Sequence, residues 1–445
     1  MLHVGLFFRR SKFAAAFVSF GVALMAMLLA TSALAVPGRS HRLTGQEACP
    51  NRVVPPSPVD TSEQPPPGMA PPQALAVPDK PVGGPRMAEC SLVQPEGAST
   101  PPATISSASW VLADLDSGEV LAARDPHARH RPASLMKTLL AIVVARELKM
   151  DTVIVGTQED ANQEGTKVGL GPGGQYTVEQ LLFVLMMKSG NDAAHALARQ
   201  LGGVPEALRK MNAVAAELGA LDTRAASPSG LDGPGMSTSA YDLGLLFRVA
   251  MRHQKIAEAV NMRQITFPGY AGRPNFQVNN DNKLLFTYDG FLGGKTGFTD
   301  DARHTYLGSA MRDRRRLVVV LLRSESQPVR ISDQAAQLLD YGFALVAASA
   351  KPVGQLVDRT PGPGDDSGRT LAAPMTDSGN TDQSSFGTVG GPLTLLAGTL
   401  VLIVGLMFWR RRRARPRPFA SVGAGPIEPD AHLDKTQPLP DDHRD

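Results

Sequence analysis

Arg131-Pro132-Ala133-Ser134-Leu135-Met136-Lys137-Thr138-Leu139-Leu140-Ala141-Ile142-Val143-Val144 sets a proline ahead of a largely apolar run, long enough for a buried helix. Ser134 and Lys137 are three apart and therefore share one helical face, with the hydroxyl near the N-terminus. Burial and a second nearby cation push a lysine toward its neutral form, so such a pair can act as a nucleophile with an amine base. A capping serine with a snorkelling lysine has the same spacing, and Ser-x-x-Lys arises by chance about once or twice in a chain of this length. The pair needs further elements before it carries a function.

Those elements lie on either side. Upstream, Ser109 to Asp114 is mostly apolar, turns at Asp116-Ser117-Gly118 and returns as Glu119 to Arg124, which predicts a β-hairpin. Downstream, Thr177-Val178-Glu179-Gln180 has the spacing of a capping box opening an apolar helix, Leu181 to Met187. That helix stops at Lys188-Ser189-Gly190-Asn191-Asp192 and another, Ala193 to Leu201, follows, so Ser189 and Asn191 are expected on an inter-helix turn. There a hydroxyl and an amide can point into a cleft, although a Gly stop followed by an Asn/Asp cap reads the same way. In Leu292-Gly293-Gly294-Lys295-Thr296-Gly297-Phe298-Thr299, small residues around a lysine suit a strand that a substrate backbone approaches closely. His304 to Ala310 and Arg316 to Leu322 then read as two strands, and Ser332 to Phe343 as a helix with Ala335, Ala336, Leu338, Leu339 and Phe343 inward.

Ser134-x-x-Lys137, Ser189-Gly190-Asn191 and Lys295-Thr296-Gly297, in that order, resemble the three elements of the penicillin-recognising serine enzymes. Pro132 to Lys137, Ser189 to Ala193, Ser227-Pro228-Ser229-Gly230-Leu231-Asp232 and Gly294 to Asp300 look like the D-alanyl-D-alanine carboxypeptidase family in particular, over about Ser107 to Val346. The resemblance implies an α/β (α+β) fold of the transpeptidase/β-lactamase type, an antiparallel sheet flanked by helices with an all-helical subdomain. It also implies a substrate, the peptidoglycan stem peptide ending in D-Ala-D-Ala, and inhibition by β-lactam antibiotics. By the same resemblance Ser134 is the nucleophile, Lys137 its base, Ser189 a proton relay, Asn191 an orienting amide and Lys295 an electrostatic aid. Thr296, Gly297, Phe298 and Arg330 would bind substrate: Thr296 and Arg330 at the terminal carboxylate, Phe298 through its backbone N–H in an oxyanion hole shared with Ser134. One departure is local: where the family usually has Ala-Gly after this strand, the chain has Ala302-Arg303.

Several other features receive plain readings. Gly169-Leu170-Gly171-Pro172-Gly173-Gly174 resembles a nucleotide loop, but Pro172 and the lack of a preceding βαβ pattern make it a turn. His127 and His130 have metal-compatible spacing without an apparent third ligand, so both are expected at the surface. His195 is expected in a packing or surface role. No metal or cofactor is expected. A class A β-lactamase would carry a Glu-x-x-Leu-Asn loop before Lys295, and neither Glu206 nor Glu217 has that context.

The rest of the chain accounts for its 445 residues, which at roughly 150 per domain would suggest about three domains. Residues 1–35 read as a signal peptide: Arg9, Arg10 and Lys12, an uncharged run, then Ala33-Leu34-Ala35. Residues 36–103 read as a proline-rich extracytoplasmic arm, disordered or PPII-like, with eleven prolines between Pro55 and Pro85. Cys49 and Cys90 bracket it, and in an exported protein the pair is expected as a disulfide tethering a flexible segment. The catalytic domain is expected over 104–350 and a flexible spacer over 351–390. Residues 391–409 are uncharged and precede Arg410, Arg411, Arg412 and Arg413, which reads as a membrane-spanning helix with a basic cytoplasmic tail, 410–445. The near-neutral net charge of +3 argues against a nucleic-acid partner. The layout is thus a single-pass protein of the cell membrane with its catalytic domain outside, resembling actinobacterial and mycobacterial members of the family.

Overall fold

The computed structural model describes residues 49–358. The expected signal peptide 1–35, membrane span 391–409 and tail 410–445, with most of the spacer, lie outside the described residues. Among the described residues no helix is long and apolar enough to cross a membrane.

The strands are β1 (Leu92–Val93), β2 (Ser109–Asp114), β3 (Glu119–Arg124), β4 (Val153–Val155), β5 (Gln175–Thr177), β6 (Gln264–Phe267), β7 (Phe276–Asn279), β8 (Phe291–Thr299), β9 (Arg303–Arg312), β10 (Arg315–Ser324) and β11 (Gly354–Gln355). The helices are α1 (Lys137–Glu147), the single turn α2 (Gln158–Ala161), α3 (Val178–Met187), α4 (Asn191–Gln200), α5 (Val204–Glu217), α6 (Ala240–Ala250), α7 (Gln254–Asn261), the single turn α8 (Leu284–Thr287) and α9 (Ile331–Ala347). One antiparallel sheet runs β1-β3-β2-β10-β9-β8, with β11 also paired to β3. The expected hairpin forms β2 and β3, closed by Asp114, whose Oδ1 accepts the Asp116 and Ser117 N–H groups (2.9 and 2.8 Å).

Both sheet faces are covered, which is why β10 reads as a continuous apolar run. Leu317, Val319 and Leu321 pack with Leu338 and Leu339 of α9, and Val318, Val320 and Leu322 face the helical side with Leu139, Leu246 and Leu245. α1 is the centre of that side: Lys137 to Val144 are all buried, as a helix apolar around most of its circumference must be. The capping box opens α3, Thr177 Oγ1 accepting the Gln180 N–H (3.1 Å) and Gln180 Oε1 accepting the Thr177 N–H (2.9 Å). β8 ends the sheet, so its outer edge is left facing the helical half.

The proline-rich segment, expected as a free arm, is laid along the domain. Arg129, 1% exposed, donates to the carbonyls of Val53 (2.7 Å), Leu75 (2.6 Å) and Ala76 (2.9 Å), and its Nε to Asp222 (3.0 Å). Arg131 donates to the Pro56 carbonyl (2.7 Å) and pairs with Glu63, and Arg224 donates to the Gln73 carbonyl (2.8 Å). Prolines carry no N–H, so an extended proline-rich chain presents chiefly carbonyl acceptors, and guanidinium groups with five donors each satisfy them. The Cys49–Cys90 disulfide therefore closes a packed strap (Cα–Cα 5.4 Å), and its restriction of the unfolded chain counts toward stability. The boundary at 350 also moves, because β11 pairs with β3 and Leu356 is 1% exposed.

The two histidines expected at the surface are buried. His127 Nδ1 lies 2.7 Å from Asp222 and Nε2 3.0 Å from the Val82 carbonyl of the strap, so the ring is consumed in joining strap to domain. His130 is pushed down to about 3, chiefly by burial and then by Arg323 and Arg131, and is neutral. His195 takes a packing role, with Nδ1 2.6 Å from Asp160.

Candidate active site

Ser134 occupies a 3-10 turn, Ala133–Met136, that runs into α1. Ala133 has φ 48°, a left-handed conformation that costs an L-residue about 1–2 kcal/mol and is tolerated where surroundings over-determine it. Lys137 is fully buried, with Nζ 2.9 Å from Ser134 Oγ, 2.7 Å from Asn191 Oδ1 and 2.6 Å from the Ser229 carbonyl. Burial, and next the charge of Lys295, hold its amine well below the ordinary lysine value, against the opposing pull of Asp192 and Asp281. A neutral amine has two N–H donors and one lone pair, which matches two carbonyl-type acceptors and one hydroxyl.

The turn between α3 and α4 supplies the next groups. Ser189 has φ 65°, is buried, and its hydroxyl has no hydrogen-bond partner among the described residues. An unsatisfied buried hydroxyl costs free energy unless a ligand completes it. Asn191 is the first residue of α4 rather than part of the turn; its N–H donates to the Thr166 carbonyl (2.7 Å) and its Nδ2 to that of Glu164 (2.6 Å). Asp192, fully buried beside it, accepts the N–H groups of Val168 (3.0 Å), Gly169 (2.8 Å) and Leu170 (3.0 Å). The glycine-rich turn is thus an anion cradle filled by the chain's own carboxylate, which anchors the loop that orients Asn191.

The β8 edge closes the cleft. Lys295 is 1% exposed, donates from Nζ to the Thr296 carbonyl (2.7 Å), and is lowered by burial with Asp281 opposing. A Cβ on Gly297 would lie 2.9 Å from the Ser134 nitrogen and overlap Thr305 Oγ1, so only glycine lets the strand approach the Ser134 turn this closely. Thr305 Oγ1 in turn donates to the Pro132 carbonyl (3.0 Å). Thr296 Oγ1 donates to Asp281 Oδ1 at 3.4 Å. Phe298 is half exposed, its ring 4.7 Å from His304 and 5.8 Å from the Arg303 guanidinium.

Ser134, Lys137, Asn191, Lys295 and Gly297 are thus joined by direct contacts or mutual charge, with Ser189 and Thr296 alongside in the same loops and strand. Arg330 stands apart: it is exposed at the start of α9, and its guanidinium makes no hydrogen bond or ion pair among the described residues. Sequence reasoning missed three contributors, Ser229, Asp192 and Asp281. Ser229 acts through its carbonyl, which residue type does not reveal, although the surrounding Ser227 to Asp232 stretch carries part of the resemblance.

A family profile described as D-alanyl-D-alanine carboxypeptidase, peptidase S11, matches residues 95–326. The chain is 46% identical over 258 residues to the D-alanyl-D-alanine carboxypeptidase DacB2 of Mycobacterium tuberculosis, covering 57% of this chain and 87% of that protein. It is 30% identical over 267 residues to DacF of Bacillus subtilis, covering 58% and 67%. Among solved structures, a D-alanyl-D-alanine carboxypeptidase of Mycobacterium tuberculosis superposes with TM-score 0.57 at 43% identity, covering 59% of this chain and 99% of that one. A cysteine-to-asparagine mutant of a Streptomyces DD-transpeptidase superposes with TM-score 0.52 at 28% identity, covering 55% and 100%. With the fold, the order of the motifs and these matches in agreement, the chain belongs to the peptidase S11 family of D-alanyl-D-alanine carboxypeptidases, penicillin-binding serine hydrolases of the cell wall.

Proposed function

We propose that this carboxypeptidase removes the terminal D-Ala of peptidoglycan stem pentapeptides through an acyl-enzyme on Ser134, and that penicillins acylate the same oxygen. The observation that carries the reading is the fully buried Lys137 amine 2.9 Å from Ser134 Oγ. The neutral amine accepts the Ser134 proton as Oγ bonds to the penultimate D-Ala carbonyl carbon, while Asn191 Oδ1 and the Ser229 carbonyl accept its two N–H groups. Backbone N–H groups of Ser134 and Phe298 receive the developing oxyanion, each worth about 3 to 4 kcal/mol in a comparable acyl transfer. Asn191 Nδ2 orients the substrate amide. The Ser189 hydroxyl passes a proton to the nitrogen of the leaving D-Ala, aided by the Lys295 charge, and the C–N bond breaks. Water then cleaves the acyl ester and restores the Ser134 hydroxyl. Thr296, on a strand that Gly297 lets approach, and Arg330 receive the substrate's terminal carboxylate.

The test is release of D-Ala from a pentapeptide ending in D-Ala-D-Ala by the full chain, with Ser134→Ala as control, and labelling by a fluorescent penicillin. Ser134-dependent release and a long-lived adduct are expected; no Ser134-dependent release would leave only a peptide-binding role. Rapid penicillin turnover would favour a β-lactamase, but Glu206 and Glu217 are paired with Arg209 (2.6 Å) and Arg146 (3.0 Å). We further propose that the chain is exported by residues 1–35 and anchored by 391–409, with the catalytic domain outside. Protease digestion of intact cells should remove the domain and leave 410–445 protected.

A further inference from the structure

Asp281 sits between two buried asparagines whose side chains hold the backbone around it. Asn280 Nδ2 donates to the Met262 carbonyl (2.9 Å) and its Oδ1 accepts the Asn282 N–H (2.9 Å). Asn282 Oδ1 accepts from the Tyr306 hydroxyl (2.7 Å) and the Leu284 N–H (3.3 Å). The Asp281 N–H donates to the Met187 carbonyl (3.0 Å), at the end of α3 just ahead of Ser189. This rigid Asn-Asp-Asn presentation leaves the Asp281 side chain exposed, with Oδ1 accepting from Thr296 Oγ1 at 3.4 Å. Its charge also opposes the burial that lowers Lys295 and Lys137. A carboxylate of the chain therefore occupies the hydroxyl assigned above to a carboxylate of the substrate.

We propose that Asp281 is a specificity-determining residue that stands in for the substrate's C-terminal carboxylate on Thr296 and must yield when a substrate with a free C-terminus binds. The inference rests on the reading of Thr296 under Proposed function. Two carboxylates then compete for one hydroxyl and one buried cation, so Asp281 weakens substrates that end in a carboxylate more than substrates that end in a neutral group. An exposed charge of this kind is worth about 1 kcal/mol at most, or about fivefold.

The experiment uses the full chain and two acyl-D-Ala thioesters, one whose thiol leaving group carries a terminal carboxylate and one in which that carboxylate is a methyl ester. Ser134-dependent thiol release gives kcat/KM for each. In Asp281→Asn the carboxylate-to-ester ratio should rise about fivefold over wild type. Asp281→Glu, which keeps the charge and can reach the same hydroxyl, should retain the wild-type ratio. An unchanged ratio in the Asn variant, or a Glu variant that behaves like Asn, overturns the proposal. Wild-type protein without Ser134-dependent release from either thioester would instead remove the reading of Ser134 itself, and the proposal with it.

Discussion

Gly230 and Ala133 meet backbone to backbone: a Cβ on Gly230 would overlap the Ala133 carbonyl oxygen, and both residues are left-handed, at φ 85° and 48°. Ala133 precedes Ser134, and Gly230 follows Ser229, whose carbonyl accepts from Lys137 (2.6 Å). One contact between distant segments therefore seats the Ser229 carbonyl against the turn that carries Ser134 and Lys137.

Gly230→Ala must push those segments apart. A displacement of about 1 Å in a reacting pair costs roughly a hundredfold in rate. The acylation rate with a fluorescent penicillin should fall by about that factor, with Tm recorded in parallel to separate misplacement from unfolding. Acylation at the wild-type rate would show that the contact does not position Ser134.

The depressed Lys137 amine predicts two pH dependences of stated sign. If the neutral amine is the base, as proposed, kcat/KM should rise with pH through the lowered Lys137 value and then level. Lys295→Gln removes the neighbouring cation, so the Lys137 value rises and that acid limb moves to higher pH. Stability follows the same linkage. The folded value lies below the unfolded one, so between the two the unfolded chain binds more protons and stability rises with pH, by up to about 1.4 kcal/mol per pH unit. Urea denaturation from neutral pH to pH 10 should show this slope in wild type, and a shallower one in Lys137→Met.

Removing residues 49–94 would leave Arg129 without the Val53, Leu75 and Ala76 carbonyls and Arg131 without Glu63. Both arginines would gain water and keep Asp222 or Asp301, so the loss is that of the hydrogen bonds to charged groups, each a net ~1.5–3 kcal/mol, and of the buried Met87 and Val93 side chains. The truncated chain should melt well below the full chain, and reduction of Cys49–Cys90 should lower Tm in the same direction by a smaller amount. A domain lacking the strap that melts with the full chain would return the segment to a passive role.

Arg303 occupies a left-handed position, φ 56°, where the resemblance led us to expect glycine. Arg303→Gly relieves strain of about 1 kcal/mol and gives up an exposed pair with Glu325 (3.1 Å) that contributes little. A Tm increase of a few degrees is expected, about 2–4 °C per kcal/mol at this domain size. A lower Tm would mean that the pair with Glu325 and the stacking on Phe298 outweigh the strain.

Arg330→Ala tests the exposed arginine ahead of α9. If its guanidinium receives the substrate carboxylate, KM for the pentapeptide should rise about tenfold with Tm unchanged, since among the described residues no hydrogen bond depends on that side chain. An unchanged KM removes Arg330 from the site and leaves the carboxylate to Thr296.

Legibility differed by kind of interaction. The hairpin, the capping box at Thr177 and the strands around Lys295 could be read because each is a local pattern, with apolar period, turn residues or cap spacing within a few positions. Ser134, Lys137, Ser189, Asn191 and Lys295 were singled out by the order of three short motifs, each of which alone also fits a plain structural reading. The strap, His127 and Asp192 could not be read. Composition describes a proline-rich segment by what it lacks, and the arginines that satisfy its carbonyls lie more than fifty positions away. His127 is buried by the strap and by Asp222, neither near it in sequence, and Asp192 looks like a helix cap until the Val168 to Leu170 amides are placed around it.

What the amino-acid order by itself determined was the local elements and the motif set, and through the order of those motifs a resemblance that implied the fold class, because helix and strand periodicity, turn chemistry and cap spacing are properties of short segments. What only the tertiary structure decided was the burial of Lys137 beside Lys295, which lowers its amine, the contact of Thr296 with Asp281, and the incorporation of the proline-rich strap. Each of these depends on desolvation or on an acceptor supplied from another part of the chain, and those quantities exist only once distant segments have been brought within a few ångströms.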